Sequence, residues 1–191
     1  MVNNITDELK NMGERVYLKE FKVDDISEDY VNWLNDPDVN QFLSIRGTIQ
    51  DIKMVKEYVA SFAEKKNKML LGLFDKNNGK HIGNITFSSI DHKNCVGIIG
   101  IAIGDKAYWG KGIATEALNL AVNFAFSVLK LHKLEAGVSA NNVPSQKLFA
   151  KAGFSQEGLL KEREKFGSNY VDVLVFGLLD YQRRKNESTI F

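Results

Sequence analysis

Apolar and polar positions alternate with two periods along this chain, and the switches between them mark its elements. The alternation around Val16, Leu18 and Phe21 predicts a first strand over Arg15–Phe21. Asp24–Asn35 and Thr48–Lys65 predict helices. In the second, Ile52, Val55, Val59 and Phe62 fall at helical spacing, and Thr48 stands where a cap is expected. Asn35-Asp36-Pro37-Asp38 between them is a turn signal. Met69–Phe74, His81–Ile90 and Cys95–Ile103 are strand-like runs. They are joined by tight turns at Lys76-Asn77-Asn78-Gly79 and Asp91-His92-Lys93-Asn94, so an antiparallel meander is expected. A helix follows from about Gly112 to Lys130, with Ile113, Ala117, Leu120, Ala121, Phe124 and Val128 as its stripe. Lys133–Ala140 predicts a strand. Pro144–Ala152 predicts a helix, with Pro144 in its first turn and Gly153 just past its end. Gly158–Phe166 and Tyr170–Leu179 close the pattern as strands, and the polar tail Gln182–Phe191 is expected to be loosely held. The expected architecture is one α+β domain over residues 1–191. Its core lies at about 15–180, with a mostly antiparallel sheet of about seven strands and one strand–helix–strand crossover.

The strongest chemical signal lies where the strand pattern gives way to the longest helix, at Tyr108-Trp109-Gly110-Lys111-Gly112-Ile113-Ala114-Thr115-Glu116-Ala117. A glycine-rich turn opening a helix aims several main-chain N–H groups one way, at the positive end of the helix dipole. That arrangement suits a phosphate or pyrophosphate. Two familiar phosphate loops are excluded. Lys111 is followed by Gly112 rather than Ser or Thr, so the hydroxyl that holds magnesium in a nucleoside-triphosphate site is missing. Thr115 stands where a dinucleotide site needs its third glycine, and Glu135 lies too early in its strand to bind a ribose.

Composition narrows the ligand further. With 25 basic and 24 acidic residues the formal charge is +1, which gives no basis for binding nucleic acid or an anionic membrane, so any anion site must be local. The one cysteine, Cys95, cannot form an internal disulfide and reads as a small strand filler. No Cys/His spacing suits a metal. Asn3, Asn4, Asp7 and Glu8 are too polar for a secretory signal, and no apolar run approaches a membrane span, so a cytoplasmic protein is expected.

Three separated segments now resemble one family. Trp109-Gly110-Lys111-Gly112-Ile113-Ala114 resembles the acetyl-CoA loop of the GNAT superfamily of N-acetyltransferases. Asn142-Val143-Pro144-Ser145 with Phe149-Ala150-Lys151-Ala152-Gly153-Phe154 is similar to the family's downstream N-x-x-S…K-x-G-F segment. Glu157-Gly158-Leu159-Leu160, then Gly167, Tyr170 and Asp172, resemble its close, in the branch containing the ribosomal-protein N-terminal acetyltransferases. The resemblance spans about Val16 to Leu179. Two positions depart from the family pattern: Trp109 replaces the usual Gln or Arg, and Phe149 stands where many members carry a tyrosine as general acid.

The resemblance implies a GNAT-like fold whose fourth and fifth strands splay apart. Main-chain groups of Ile101, Ala102 and Ile103 would meet the pantetheine arm. The N–H groups of Gly110, Lys111, Gly112, Ile113, Ala114 and Thr115 would hold the pyrophosphate, with Trp109 packing the turn. Acetyl-CoA would be the co-substrate, without a metal, and an amine would attack the thioester directly. A main-chain N–H near Ile101 or Ala102 is the implied oxyanion donor. With Phe149 unable to donate, Ser145, on the same helix face four residues earlier, is the first candidate to protonate the leaving thiolate; capping is its structural alternative. Asn142 would cap the helix or bond the coenzyme arm. Glu157 is the candidate base. Glu116 already suits a helix first turn, and His81 and His92 are weaker alternatives. Trp33 and Arg46 are candidate acceptor contacts, against the structural readings of core packing and a surface salt bridge. The acceptor expected is a small amine, and the Trp-Leu-Asn-Asp-Pro run resembles that of acetyltransferases acting on amino-sugar nucleotides; a peptide N-terminus is the alternative. A coenzyme-binding module without catalysis is the third alternative, and the chain is expected to be a monomer or homodimer.

Overall fold

The computed structural model describes residues 13–183. The polar first residues and most of the polar tail, on which two of the expectations rest, lie outside that range. The described residues form one seven-stranded sheet. Its strands are β1 (Val16–Glu20), β2 (Met69–Asp75), β3 (His81–Asp91), β4 (Val96–Ile103), β5 (Lys133–Ser139), β6 (Ser155–Phe166) and β7 (Asn169–Leu179), in the order β1-β2-β3-β4-β5-β7-β6. Every pairing is antiparallel except β4 with β5. That parallel pair requires a crossover, supplied by α4 (Ile113–Ser127). The remaining helices are α1 (Glu28–Asn35), α2 (Pro37–Asn40), α3 (Ile52–Ala63) and α5 (Val143–Lys151).

Two cores hold the sheet, one on each face. On one side α4 carries Ile113, Ala117, Leu118, Ala121, Val122, Phe124 and Ala125, all buried, against Leu18, Leu73, Ile85, Phe87, Ile99 and Leu134. The predicted stripe is correct but too narrow, because this helix is buried over most of its girth. On the other side Val55 and Val59 of α3 and Tyr30 of α1 pack with Phe21, Leu70 and Phe74. Burying each such valine contributes about 1.5–3 kcal/mol. Ile52, predicted for this face, is 47% exposed.

The predicted element boundaries differ where several polar residues compete to cap. Helix α3 starts at Ile52 because the Asp51 carboxylate accepts the Met54 N–H at 2.8 Å, so Asp51 rather than Thr48 is its cap. Asn35–Asp38 is a helix junction rather than a simple turn: Asp36 caps α2 by accepting from Asp38 N–H at 2.9 Å, with Pro37 opening the helix. The helix expected over Asp24–Asn35 divides into a single 3-10 turn at Val23–Asp25 and α1, capped by Ser27.

His81 sits inside an aromatic box, with ring centroids 4.4 Å from Phe21, 5.0 Å from Trp33, 5.1 Å from Phe74 and 5.4 Å from Tyr30. Its Nε2 lies 2.6 Å from the Asn84 side-chain oxygen. Burial pushes its pKa down, and the bond to Asn84 opposes that only in part. The unfolded chain therefore takes up a proton at this residue near pH ~6.5, and the folded chain only at lower pH. Stability supplied by the neutral ring is complete above that value and is lost as pH falls through the window below it. We expect the urea midpoint to drop between about pH 7 and pH 5. In His81→Gln that drop should shrink; an equal drop would place its source elsewhere.

Candidate active site

A cavity of about 940 Å³ runs through the molecule from the start of α4, between β4 and β5, to the segment around α1–α3. Three parts of the chain build it.

The first is the glycine turn. After a single 3-10 turn at Lys106–Tyr108, Gly110 and Gly112 both adopt positive φ, +69° and +77°. That backbone region strains any residue with a Cβ. No side chain caps α4 at Gly112. The helix ladder begins with Glu116 N–H to the Gly112 carbonyl, so the N–H groups of Ile113, Ala114 and Thr115 precede it and face the open end. The turn is held from behind by Arg15, which donates to the Lys111 carbonyl at 2.8 Å and pairs with the Glu116 carboxylate at 2.8 Å. Glu116 also accepts the main-chain N–H groups of Arg15 and Val16. Burial works to raise the Glu116 pKa, but these donors hold it below the usual range. Glu116 therefore ties β1 to α4 as a fixed anion.

The second part is the gap in the sheet. The β4–β5 ladder consists of Val96↔Lys133, Gly97↔Leu134 and Ile98↔Glu135, and then the strands part. The β3 register, continued by Gly104 N–H to the Ile82 carbonyl, sets the alternation beyond that point. It turns the main-chain groups of Ile99, Ile101 and Ile103 toward the gap and those of Ala102 toward β3. The Ile103 carbonyl is already taken by the Trp109 indole N–H at 2.9 Å. Within the predicted Ile101–Ile103 segment, Ile101 thus offers both main-chain groups to the opening. The opposite wall is Gly137, Val138 and Ser139 of β5. The buried Ser139 hydroxyl has no partner among the described residues, a polar atom suited to a ligand arm.

The third part is the segment 36–50, tethered at both ends. Lys106 pairs with Asp36 at 2.6 Å and Asp38 at 3.0 Å, joining α2 to the turn before the glycines. Arg46 lies 4.1 Å over the Phe166 ring, donates to the Gln41 and Lys165 carbonyls and pairs with Glu164 at 3.4 Å. Trp33 packs flat on Gly104, where a Cβ would fall 2.1 Å from the indole, so only glycine admits that contact.

The cavity brings together Trp33, Ile101, Ala102, Ile103, Trp109, Gly110, Gly112, Ile113, Ala114, Thr115, Asn142, Ser145 and Phe149. Asn142 caps α5, accepting the Ser145 N–H at 3.1 Å, which leaves the Ser145 hydroxyl free of that duty. Phe149 is buried, edge-on to Phe154 at 5.1 Å. Three predicted residues are not among the lining. The Lys111 side chain is exposed beside the turn. Arg46 is consumed by its tethers. Glu157, on the edge strand β6, forms a 2.6 Å ion pair with Lys133 at the start of β5, which removes the physical basis for expecting it to face an acceptor. Tyr30, Tyr58, Asn84, Thr86 and Ser139 line the cavity without having been singled out, because each reaches it through long-range strand pairing or helix packing. Among the described residues no group of three His, Cys, Asp or Glu is placed to hold a metal, and no helix is long and apolar enough to cross a membrane.

A sheet parted at its one parallel pair, beside an uncapped helix start, suits a slender thioester with a pyrophosphate at one end. Comparison with known proteins agrees: the model of the acetyltransferase (GNAT) domain matches residues 15–155. The chain belongs to this family. It is 30% identical over 169 residues to the uncharacterized N-acetyltransferase p20 of Bacillus licheniformis, covering 87% of this chain and 93% of that one. The spermidine N(1)-acetyltransferase of Escherichia coli K12 matches at 31% over 104 residues, 54% of this chain and 55% of that one. The ribosomal protein uS5-alanine N-acetyltransferase of the same organism matches at 30% over 107 residues, 54% of each. The ribosomal-protein branch is therefore not singled out, and the narrower resemblance is corrected to the family as a whole. In fold, the spermidine N-acetyltransferase of Vibrio cholerae in complex with CoA and spermine superposes with a TM-score of 0.81 at 20% identity, covering 89% of this chain and 98% of that one. The chain is accordingly an acetyl-CoA-dependent N-acetyltransferase, and the orphan N–H groups at α4 fit the pyrophosphate.

Replacing Gly112 by Asp puts a Cβ at φ +77° and 3.6 Å from the Arg15 guanidinium, so the turn is strained and the new carboxylate competes for the side chain that holds the Lys111 carbonyl. If the N–H groups of this turn hold the pyrophosphate, displacing them should lower acetyl-CoA affinity by at least about tenfold. Calorimetry with acetyl-CoA should show that loss. Unchanged affinity would move the coenzyme elsewhere. Arg46→Ala should loosen the 36–50 segment and raise KM for the amine several-fold, with acetyl-CoA affinity unchanged in the same titration.

Proposed function

We propose that this enzyme acetylates a primary amine on a small molecule by direct transfer. The observation that carries the reading is the single cavity joining the α4 start, the β4–β5 gap and the pocket at α1–α3, so that thioester and amine meet without crossing solvent. Acetyl-CoA supplies the acetyl group; the chain binds, orients and moves protons. The Ile101 N–H, fixed by the β3 register and facing the gap, is the donor for the developing oxyanion. The Ser145 hydroxyl is the proton source for the departing thiolate, Phe149 having none to give. With Glu157 held by Lys133, the amine loses its proton to water in the cavity.

The spermidine enzymes among the relatives favour small amines as a class. Nothing in the comparisons favours an amino-sugar nucleotide. A peptide N-terminus is the second reading, supported by the partial match to the ribosomal-protein enzyme. The anchoring of segment 36–50 at both ends favours the small molecule, because an extended chain needs an open groove.

Free CoA thiol, measured with small amines and N-terminal peptides side by side, tests the assignment. Release with small amines is expected, and release with peptides alone would replace it by the second reading. Loss of a fixed catalytic donor typically lowers rate by about a hundred- to a thousandfold. Ser145→Ala should lower kcat by at least about tenfold, with acetyl-CoA affinity retained; an unchanged kcat would remove Ser145 from the proton path.

A further inference from the structure

We infer that the Thr86 hydroxyl is a further catalytic group: it accepts an N–H of the attacking amine and aims the nitrogen lone pair at the thioester carbon. The inference rests on the reading of the cavity as an amine-acetylating site and names the group that orients the nucleophile there.

Thr86 lies in the middle of β3, opposite Leu70 of β2 and Gly100 of β4. Residues directly opposed across strands share a face. Leu70 belongs to the core on the α1–α3 side, so the Thr86 side chain projects to that side, where it lines the cavity. Opposed Cβ atoms usually stand about 4.5–5.5 Å apart. A Cβ built on Gly100 would lie only 2.9 Å from the Thr86 Oγ1. The hydroxyl thus leans over β4, above the residue that precedes Ile101, and glycine at 100 leaves that space open. Thr86 is half-buried, and its hydroxyl makes no hydrogen bond among the described residues. Its β-branch restricts χ1, so the oxygen has few other positions. Asn84, two residues back on the same face, is committed: its oxygen lies 2.6 Å from the His81 Nε2.

This placement suits the attack. With the acetyl oxygen on the Ile101 N–H, the carbonyl lies in the β4–β5 gap, and a nucleophile reaches its carbon from one face of the sheet. The cavity leads the amine in from the α1–α3 side, the side on which Thr86 stands. A free-base amine has N–H donors and one lone pair. Giving one N–H to Oγ1 leaves the lone pair turned toward the carbon held one residue further along β4. A hydroxyl accepts that N–H without a negative charge that would hold the nitrogen as an ammonium. The lone pair forms the N–C bond and the C–S bond breaks. Nitrogen gives one proton to cavity water, sulfur gains one from Ser145, and Ser145 recovers its own from solvent. The products are the N-substituted acetamide and CoA thiol, and Thr86 keeps its proton throughout.

Thr86→Val replaces the hydroxyl by a methyl of nearly the same shape and keeps the β-branch that a strand favours. Thr86→Ser keeps the hydroxyl. With the full chain and saturating acetyl-CoA, free CoA thiol is read with butylamine, putrescine and spermidine, and kcat and KM are taken for the one the natural chain turns over fastest. We expect Thr86→Val to lower kcat by at least about tenfold, with acetyl-CoA affinity unchanged by calorimetry. Thr86→Ser should recover most of that loss. An unchanged kcat in Thr86→Val, a loss confined to KM, or an equal loss in Thr86→Ser overturns the inference while leaving small-amine acetylation standing. Release from none of the three amines by the natural chain overturns the reading beneath it as well.

Discussion

Two strands that pair for three residues and then part leave main-chain groups inside a sheet with no strand to meet them. Everything else in this molecule follows from that break. A buried N–H or carbonyl without a partner costs free energy comparable to a lost hydrogen bond, so the gap beyond Ile98 persists only where something else answers it. Trp109 answers one carbonyl, at Ile103. The groups of Ile101 and the hydroxyl of Ser139 are left for a ligand arm. The parallel register that opens the gap is also what demands a crossover helix, and that helix starts beside the opening. The anion site and the slot are thus two results of one topological choice.

The walls of the slot need anchors, and they are charged ones. Arg15 and Glu116 lie 101 residues apart and lock the first strand to the start of α4. Lys106, with Asp36 and Asp38, sets segment 36–50 beside the glycine turn. Arg46 fastens the other end of that segment to the β6–β7 hairpin. Exposed ion pairs contribute little stability singly, about 0–1 kcal/mol. Here they set position more than stability, and the two apolar cores supply the latter.

Much of this was legible along the chain, because much of it is local. Seven strands and the major helices follow from apolar periodicity. The turn before α4 follows from Gly110 and Gly112, whose positive φ values satisfy a backbone demand that sequence can express directly. Helix starts were less legible. Thr48 and Asp51 are both competent caps, and only packing selects Asp51. Glu157 looked available because its partner, Lys133, lies on another strand and becomes visible only with the sheet register. Ala102 read as equivalent to Ile101 for the same reason: the alternation that turns one to the gap and the other to β3 is a property of pairing. The far end of the cavity was least legible, since Tyr58, Asn84 and Leu43 come from separate elements whose meeting no short motif records.

The apolar ring at position 149 carries a further consequence. Wedged between Phe154 and Phe176, with centroids 5.1 and 6.2 Å away, it has no hydroxyl to ionise. An enzyme that relies on a phenol loses rate in alkaline solution as that phenol gives up its proton near pH ~10. This chain has no such limb to its profile from that position, so free-base amine can accumulate with rising alkalinity without the loss of an acid there.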